Sequence, residues 1–371
     1  MSLPLALIAI VGMRLALGYL FGGTSDQRGY AALWLFTEAG QNPYAEGPRI
    51  MAWPPLWWMV IGAMAQVWQI LGLDAWISDG LVARSFAIKL CYFVCEIAGA
   101  LFLGRTIVWH RRGEALPSPD DRAVMVRYSV CFLLLPGTWI ITSLHGNFDV
   151  IPAFLAFAAF WLLHVNQDKT SAAVAALLLG LGMMARTIPG MLVLPLLVEI
   201  HRRHGRRLSL WSALLFLLPT ILSLFPLYLL APDAVLERIL GYRGNLEGWW
   251  GLGIVARLLV SGPAAEWVSR LNLILFYPAY LALAVLCSVR LWQGRISLLR
   301  AGLLSTVGLF ALAPTISNQN FYFLLPWAFW AAVAEHRPAA RTFLWAVSLN
   351  LLLVYVVVPT KLAFPVWFQW T

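Results

Sequence analysis

Apolar runs of about 15 to 25 residues recur from one end of this 371-residue chain to the other, separated by short polar stretches. A hydrocarbon core about 30 Å thick needs roughly 20 apolar residues of helix to cross it, and backbone within it must satisfy its own hydrogen bonds. Such a pattern excludes a soluble globular enzyme and a disordered protein. It also excludes an outer-membrane barrel, whose strands alternate in polarity over segments of about ten residues. Composition points the same way: 61% of the residues are hydrophobic and only 12% are charged, where a soluble domain carries about a quarter. The sequence predicts an all-α integral membrane protein of many spans.

The net charge of +9 raises the question of nucleic acid. The basic residues, however, fall in short clusters between apolar runs, as the positive-inside rule produces, so no nucleic-acid partner is expected. Eleven spans are predicted, at residues 3–22, 84–109, 123–143, 149–165, 171–185, 189–200, 209–230, 271–292, 301–314, 321–334 and 342–358. With alternating spans, His110-Arg111-Arg112, the arginines at 202, 203, 206 and 207, those at 290, 295 and 300, and Arg337 with Arg341 all share one side, read as cytoplasmic. Two long loops, 23–83 and 231–270, then lie outside. The N-terminal run lacks a basic leader and a clear cleavage site, and is read as the first membrane helix. The expected organisation is a single transmembrane domain: an N-terminal module at 1–230, the second outer loop at 231–270, and C-terminal helices at 271–371.

Segment 51–72 is apolar enough to span, but counting it would place every arginine cluster outside. It opens with Pro54-Pro55 and carries Trp53, Trp57, Trp58 and Trp68, side chains suited to a membrane–water boundary, so it is read as an interfacial or re-entrant helix. A shorter amphipathic helix is expected at about 27–39. The junction at Arg186 is unusually tight, and short or broken helices at membrane depth line cavities. Cys91, Cys95, Cys131 and Cys287 lie in apolar stretches and are expected as buried, reduced thiols; no zinc spacing occurs.

Several polar residues can carry chemistry. Asp26, just past the first span, is either a helix N-cap or a general base that takes the proton of an attacking hydroxyl, with Glu38 and Glu46 as backup carboxylates. His145, Asn147 and Asp149 crowd one outer turn, where they either cap a helix or hydrogen-bond sugar hydroxyls. Arg186 is alone between apolar helices; it either reaches headgroups or grips a phosphate in a forked manner. The second outer loop carries Tyr242-Arg243-Gly244-Asn245-Leu246-Glu247-Gly248-Trp249-Trp250, and the stretch 317–322 brings Asn320 and Tyr322 to the same side. Arginine, amides and aromatic rings together suit a phosphorylated sugar. Arg14, Lys89 and Glu96 lie inside spans, where a structural ion pair is favoured over a proton path.

The order of these features resembles the GT-C superfamily of membrane glycosyltransferases. The resemblance rests on an early-loop Asp, then Asn42-Pro43-Tyr44 with Trp53-Pro54-Pro55-Leu56, Gly146-Asn147-Phe148-Asp149, Arg186-Thr187-Ile188-Pro189 with Leu194-Pro195, and Asn320-Phe321-Tyr322 with Leu325-Pro326. The chain is most similar to bacterial polyprenyl-phosphate-mannose enzymes, to the GPI mannosyltransferases and to the glucosyltransferases fed by dolichyl-phosphate-glucose. The resemblance implies a GT-C-like fold with interfacial helices in the first outer loop, and inversion at the transferred sugar. It also brings Tyr44 and Trp53 to the sugar or acceptor site. The chain departs from the family in having one early Asp where several members carry an acidic pair, arginine at 186 where lysine is common, and Asn318-Gln319-Asn320 for a histidine-containing stretch.

These readings lead to one expectation: an inverting glycosyltransferase of a bacterial-type inner membrane, facing the periplasm. It would move a hexose, with mannose favoured, from an isoprenoid-phosphate donor to a lipid-linked or surface glycan. In that reading Asp26 is the base, Arg186 and Arg243 hold the phosphate, and His145, Asn147, Asp149, Asn320 and Tyr322 line the sugar site. The lipid-phosphate sugar is the co-substrate, a metal is not indicated, and the chain is read as a monomer among membrane lipids. The chief alternative is a secondary transporter or lipid flippase using Arg14, Lys89 and Glu96. A non-catalytic subunit is a third, disfavoured by the early carboxylate.

Overall fold

The computed structural model describes residues 3–20, 25–42, 55–73, 80–113, 119–240, 263–314 and 316–353. Every regular element among them is helical. In chain order the main helices are α1 (Leu3–Leu20), α2 (Ser25–Glu38), α3 (Pro55–Ile70), α4 (Gly80–Arg112), α5 (Pro119–Leu133), α6 (Val150–Val165) and α7 (Lys169–Ala185). There follow α8 (Val193–Leu230), α9 (Pro263–Trp292), α10 (Leu298–Leu312), α11 (Leu325–Val333) and α12 (Pro338–Leu352). Both helices expected in the first long loop are present, as α2 and α3.

Three described helices are long and apolar enough to cross a membrane: Ala83–Arg112, Ile188–Leu230 and Arg270–Trp292. A fourth forms if Asp121–Leu133 and Pro136–His145, bent by 62° to each other, count as one span. This is coarser than the eleven spans expected. Five more apolar helices, Leu7–Leu20, Val150–Val165, Lys169–Ala185, Leu298–Leu312 and Asn320–Val333, are shorter. At 1.5 Å per residue they reach only about 20 to 26 Å. The expected last span runs past residue 353 and lies partly outside the described residues.

Two predicted boundaries take a different form. The run expected at 123–143 breaks at Pro136, which lacks the N–H that would continue the ladder. Beyond it the chain forms a short turn, Pro136–Trp139, and then a π-helical turn, Ile140–His145. The polar segment expected between 200 and 209 narrows to a break at Gly205, at φ 82° and ψ 177°, a conformation that a residue without Cβ adopts cheaply. It separates two helical stretches of α8 that fold back on each other, with the Ser209 hydroxyl donating to the Leu197 carbonyl at 3.2 Å.

The described residues divide into two compact units, Met1–Met51 with Leu56–Ile151 and Leu325–Thr371, and Ala52–Pro55 with Pro152–Leu324. In the first unit, α4 and α5 touch so closely that a Cβ on Gly104 would lie 2.5 Å from the Met125 carbonyl. In the second, a Cβ on Gly180 of α7 would lie 2.2 Å from the Phe216 carbonyl of α8. Small residues that let helix backbones approach are how helices associate where burial from water offers little drive. The outer faces of α8 and α9 remain apolar: Ile221, Leu222, Phe225, Leu229, Ile274, Leu275, Leu281 and Leu286 are all exposed. Large apolar side chains exposed on successive turns of two helices suit a membrane.

The cysteines depart from expectation. All four are free thiols, but only Cys287 is buried; Cys91 and Cys95 are half-buried and Cys131 is exposed. Cys91, Cys95 and Cys131 stand on helix flanks outside the core, a distinction hydropathy cannot make.

Candidate functional site

In the first unit, the turn after the π-helical segment gathers polar side chains at depth. Gly146 caps that segment in the left-handed region (φ 71°), its N–H donating to the Ile141 carbonyl. The next residue's amide does the same at 3.1 Å. His145, Asn147 and Asp149 are all buried on this turn, at 6%, 0% and 0% exposure. Asn147 Oδ1 accepts from the Asp149 amide at 2.9 Å, which fixes the turn and opens α6. The three residues grouped by sequence therefore form one cluster.

Glycine at 146 is needed twice over. Its backbone lies in the region L-residues avoid, and a Cβ there would sit 2.7 Å from Gln27 Oε1 and 2.8 Å from Lys89 Cε. Those distances place Gln27 and Lys89 against the turn. Gln27 is fully buried and donates through Nε2 to the Ser85 carbonyl at 3.0 Å. Asp26 is its chain neighbour, the second residue of α2. The first turn of α2 is thus brought to the His145–Asp149 cluster; the Asp26 side chain itself lies outside the described residues. Gln27 carried no sequence signal of its own beyond its place beside Asp26.

An aromatic box walls this region. Trp57 of α3 stacks on Phe148 at 4.9 Å and 13°, and lies 5.0 Å from Tyr92 of α4. Tyr30 of α2 meets Trp57 and Phe148 edge-on, at 5.7 and 5.5 Å. Such pairs are worth about 0.5–1.5 kcal/mol each beyond the area they bury. They bind α2, α3 and α4 to the polar turn. Trp57 was expected at a membrane boundary, yet it is 1% exposed and belongs to this core. The outward face of α3 instead shows Met59, Val67 and Ile70.

Two other early acids separate clearly. Glu38 is held by Arg84 Nη2 at 2.8 Å and by Trp34 Nε1 at 2.6 Å, which makes it an anchor between α2 and α4 rather than a spare base. Glu46 lies outside the described residues. Among the intramembrane charges, Arg14 pairs with Glu96, and both side chains are fully buried. Arg14 also donates to Thr142 Oγ1, Thr138 Oγ1 and the Leu133 carbonyl at 3.1, 2.7 and 2.9 Å. Lys89 is apart from that pair and donates to the Gly18 carbonyl at 3.5 Å.

In the second unit, Arg186 follows α7 with extended backbone, at φ −153° and ψ 140°. Its half-buried guanidinium donates through Nη2 to Asn320 Oδ1 at 2.8 Å, joining residues 134 apart in sequence. Tyr322 is fully buried, its ring edge-on to Phe154 at 6.3 Å. The structure therefore joins Arg186 to Asn320, and buries Tyr322 against Phe154. Arg243, with the whole stretch 242–250, lies outside the described residues, as do Tyr44 and Trp53. Among the described residues, no group of three or more His, Cys, Asp or Glu could hold a metal ion.

The chain thus carries two polar assemblies, a buried turn with its aromatic box in one unit and an arginine–asparagine pair in the other. No family model, curated protein or solved structure matches this chain.

Proposed function

We propose that the protein is an inverting membrane glycosyltransferase using an isoprenoid-phosphate hexose, with mannose the favoured sugar. Its acceptor is a lipid-linked or surface glycan on the outer face of a bacterial-type inner membrane. The observation that supports this reading is Gln27, the chain neighbour of Asp26 on α2, packed against the turn that holds buried His145, Asn147 and Asp149, with aromatic rings beside it. Amides, a carboxylate and an imidazole match the hydroxyls of a sugar, and flat rings match its apolar face.

In the proposed reaction Asp26 accepts the proton of the acceptor hydroxyl as its oxygen bonds to the anomeric carbon. The bond from that carbon to the phosphate oxygen breaks on the opposite side. Its electron pair leaves with the lipid phosphate, and one displacement inverts the centre. The proposal gives Arg186, whose guanidinium donates to Asn320, and Arg243 the role read from sequence, that of holding the phosphate. The resemblance to GT-C enzymes supports the same assignment.

Asp26→Asn retains the size of the side chain and removes its basicity. Incubated with a panel of polyprenyl-phosphate sugars, the intact protein should release polyprenyl phosphate and form a glycosylated product. The Asn variant should lose at least a hundredfold in rate while still binding the donor, the scale expected of a general base. Turnover by the variant at the intact rate would remove Asp26 from the role. Uptake of substrate into vesicles with no glycosyl product from any donor would favour the transporter reading instead.

A further inference from the structure

Within the second unit, three chain segments far apart in sequence converge on one cavity of about 360 Å³. Its walls include His164 near the end of α6, Glu199, Arg202 and Arg203 of α8, and the turn from Leu291 to Arg300 that joins α9 to α10. This is a different place from the Arg186 pair. Arg186 follows the last residue of α7, whereas the cavity's His164 stands just before the first. A helix of 17 residues separates those ends by roughly 26 Å.

The charge balance of the cavity is one-sided. Four guanidinium groups, those of Arg202, Arg203, Arg295 and Arg300, face one carboxylate, Glu199. Glu199 is 1% exposed and accepts from Arg202 Nε and Nη2 at 2.8 and 2.7 Å and from Arg203 Nε at 2.6 Å. Arg203 is locked further, donating through Nη1 to the Leu163 carbonyl at 2.6 Å. The single acid therefore orients two arginines. The bonds of Arg202 use its Nε and Nη2 edge, so its Nη1 group is not engaged by Glu199. Arg295 is exposed at the mouth. Ser297 caps α10 through the Arg300 amide at 3.3 Å, so the positive end of that helix also meets the wall.

Arginines that served only to orient a membrane protein would have no reason to converge on a hollow, or to be pinned by a buried carboxylate. Like charges held together in a concavity cost free energy until an anion enters it. The apolar helix Arg270–Trp292 ends at this cavity, so its mouth lies where the apolar surface stops. We infer that this cavity binds a phosphate group, as a phosphodiester or phosphomonoester, with Arg202 and Arg295 as its donors. Guanidinium groups match phosphate oxygens in forked geometry. The group comes either from an anionic lipid headgroup at the membrane edge or from a free phosphate compound in the adjoining water. The site is independent of the glycosyl-transfer reading and stands or falls without it.

The test uses the full chain purified in neutral detergent and compares it with Arg202→Gln/Arg295→Gln. These two side chains are exposed and the Arg203 lock is left in place; Arg295→Gln alone serves if the double variant unfolds early. Native mass spectrometry with phosphatidylglycerol or phosphatidylcholine reports lipid retention. Calorimetric titration with inorganic phosphate and glycerol phosphate reports the soluble source. The lipid source predicts retention of phosphatidylglycerol but not phosphatidylcholine, at least tenfold weaker in the variant. The soluble source predicts titration of glycerol phosphate or phosphate by the intact protein alone, without lipid selectivity. Equal binding of every probe by intact and variant protein would overturn the site.

Discussion

Arg14 and Glu96 come from helices 82 residues apart and meet with no exposure to solvent. Thr142 adds a hydroxyl that donates to Glu96 at 2.9 Å, and the Arg14 guanidinium stands over the Phe93 ring at 5.4 Å. Taking two charges out of water is costly, and removal of one partner leaves the other uncompensated. Glu96→Ala should therefore lower stability by about 3–5 kcal/mol, read as a falling midpoint in denaturant unfolding in detergent. Arg14→Met with Glu96→Leu should recover most of that loss, since Thr138 and Thr142 still donate to their own helix's carbonyls. A double variant as unstable as the single one would refute the view that the damage is an orphaned charge. Three charges inside apolar runs were evident from sequence, and an ion pair was the favoured reading. That Lys89 turns away toward Gly18 and the Gly146 turn was not legible, because helical spacing lines up faces without saying which neighbour arrives.

Among elements, α7 shows how a local signal resolves a boundary. Asp168 accepts from the Ser171 amide at 2.8 Å and from its hydroxyl at 2.7 Å, capping the helix. The Ser171 hydroxyl, then the backbone amides, hold the Asp168 carboxyl below its ordinary value of 3.8. A carboxyl held low in the folded state favours its ionised form there, so the cap is fully present above that ordinary value. It is lost as pH falls through the lower folded value. Hydrogen exchange at the first-turn amides of α7, corrected for intrinsic rates, should lose protection in that acid window. The loss should be absent in Asp168→Ala, and equal acid sensitivity in both proteins would dismiss the cap. Capping of this kind lies within a few residues and is readable without coordinates. The break at Pro136 is equally local in cause, although its consequence, a 62° bend followed by a π-helical turn, is not. The break between 200 and 209 is legible as a charged stretch between two apolar runs, whereas its confinement to Gly205 is not.

At the scale of the whole chain, the positive-inside rule applied to the arginine clusters predicts segment 55–70 on the outer side and the stretch 293–297 on the cytoplasmic side. Single cysteines at Gln69 and Gln293, both exposed, test it in a background without the four native thiols. A membrane-impermeant maleimide should label Gln69→Cys on intact cells and Gln293→Cys only after permeabilisation. The reverse order would invert the orientation and place the proposed transfer site in the cytoplasm. The same experiment bears on the inferred phosphate cavity, whose wall includes residues on either side of Gln293.

Hydropathy, charge clusters and turn residues were sufficient for an all-helical chain with two helices in its first long loop, and for the grouping of His145, Asn147 and Asp149. These are properties of neighbours within a turn or two, and a helix repeats every 3.6 residues whatever else the chain does. Tertiary packing alone decided that Gln27 reaches the Gly146 turn, that Arg186 meets Asn320, that Glu38 is spent on Arg84, and that three distant segments enclose one cationic hollow. Each of those contacts joins residues tens to more than a hundred positions apart. Their formation depends on how all the intervening helices pack, and no short-range pattern encodes that.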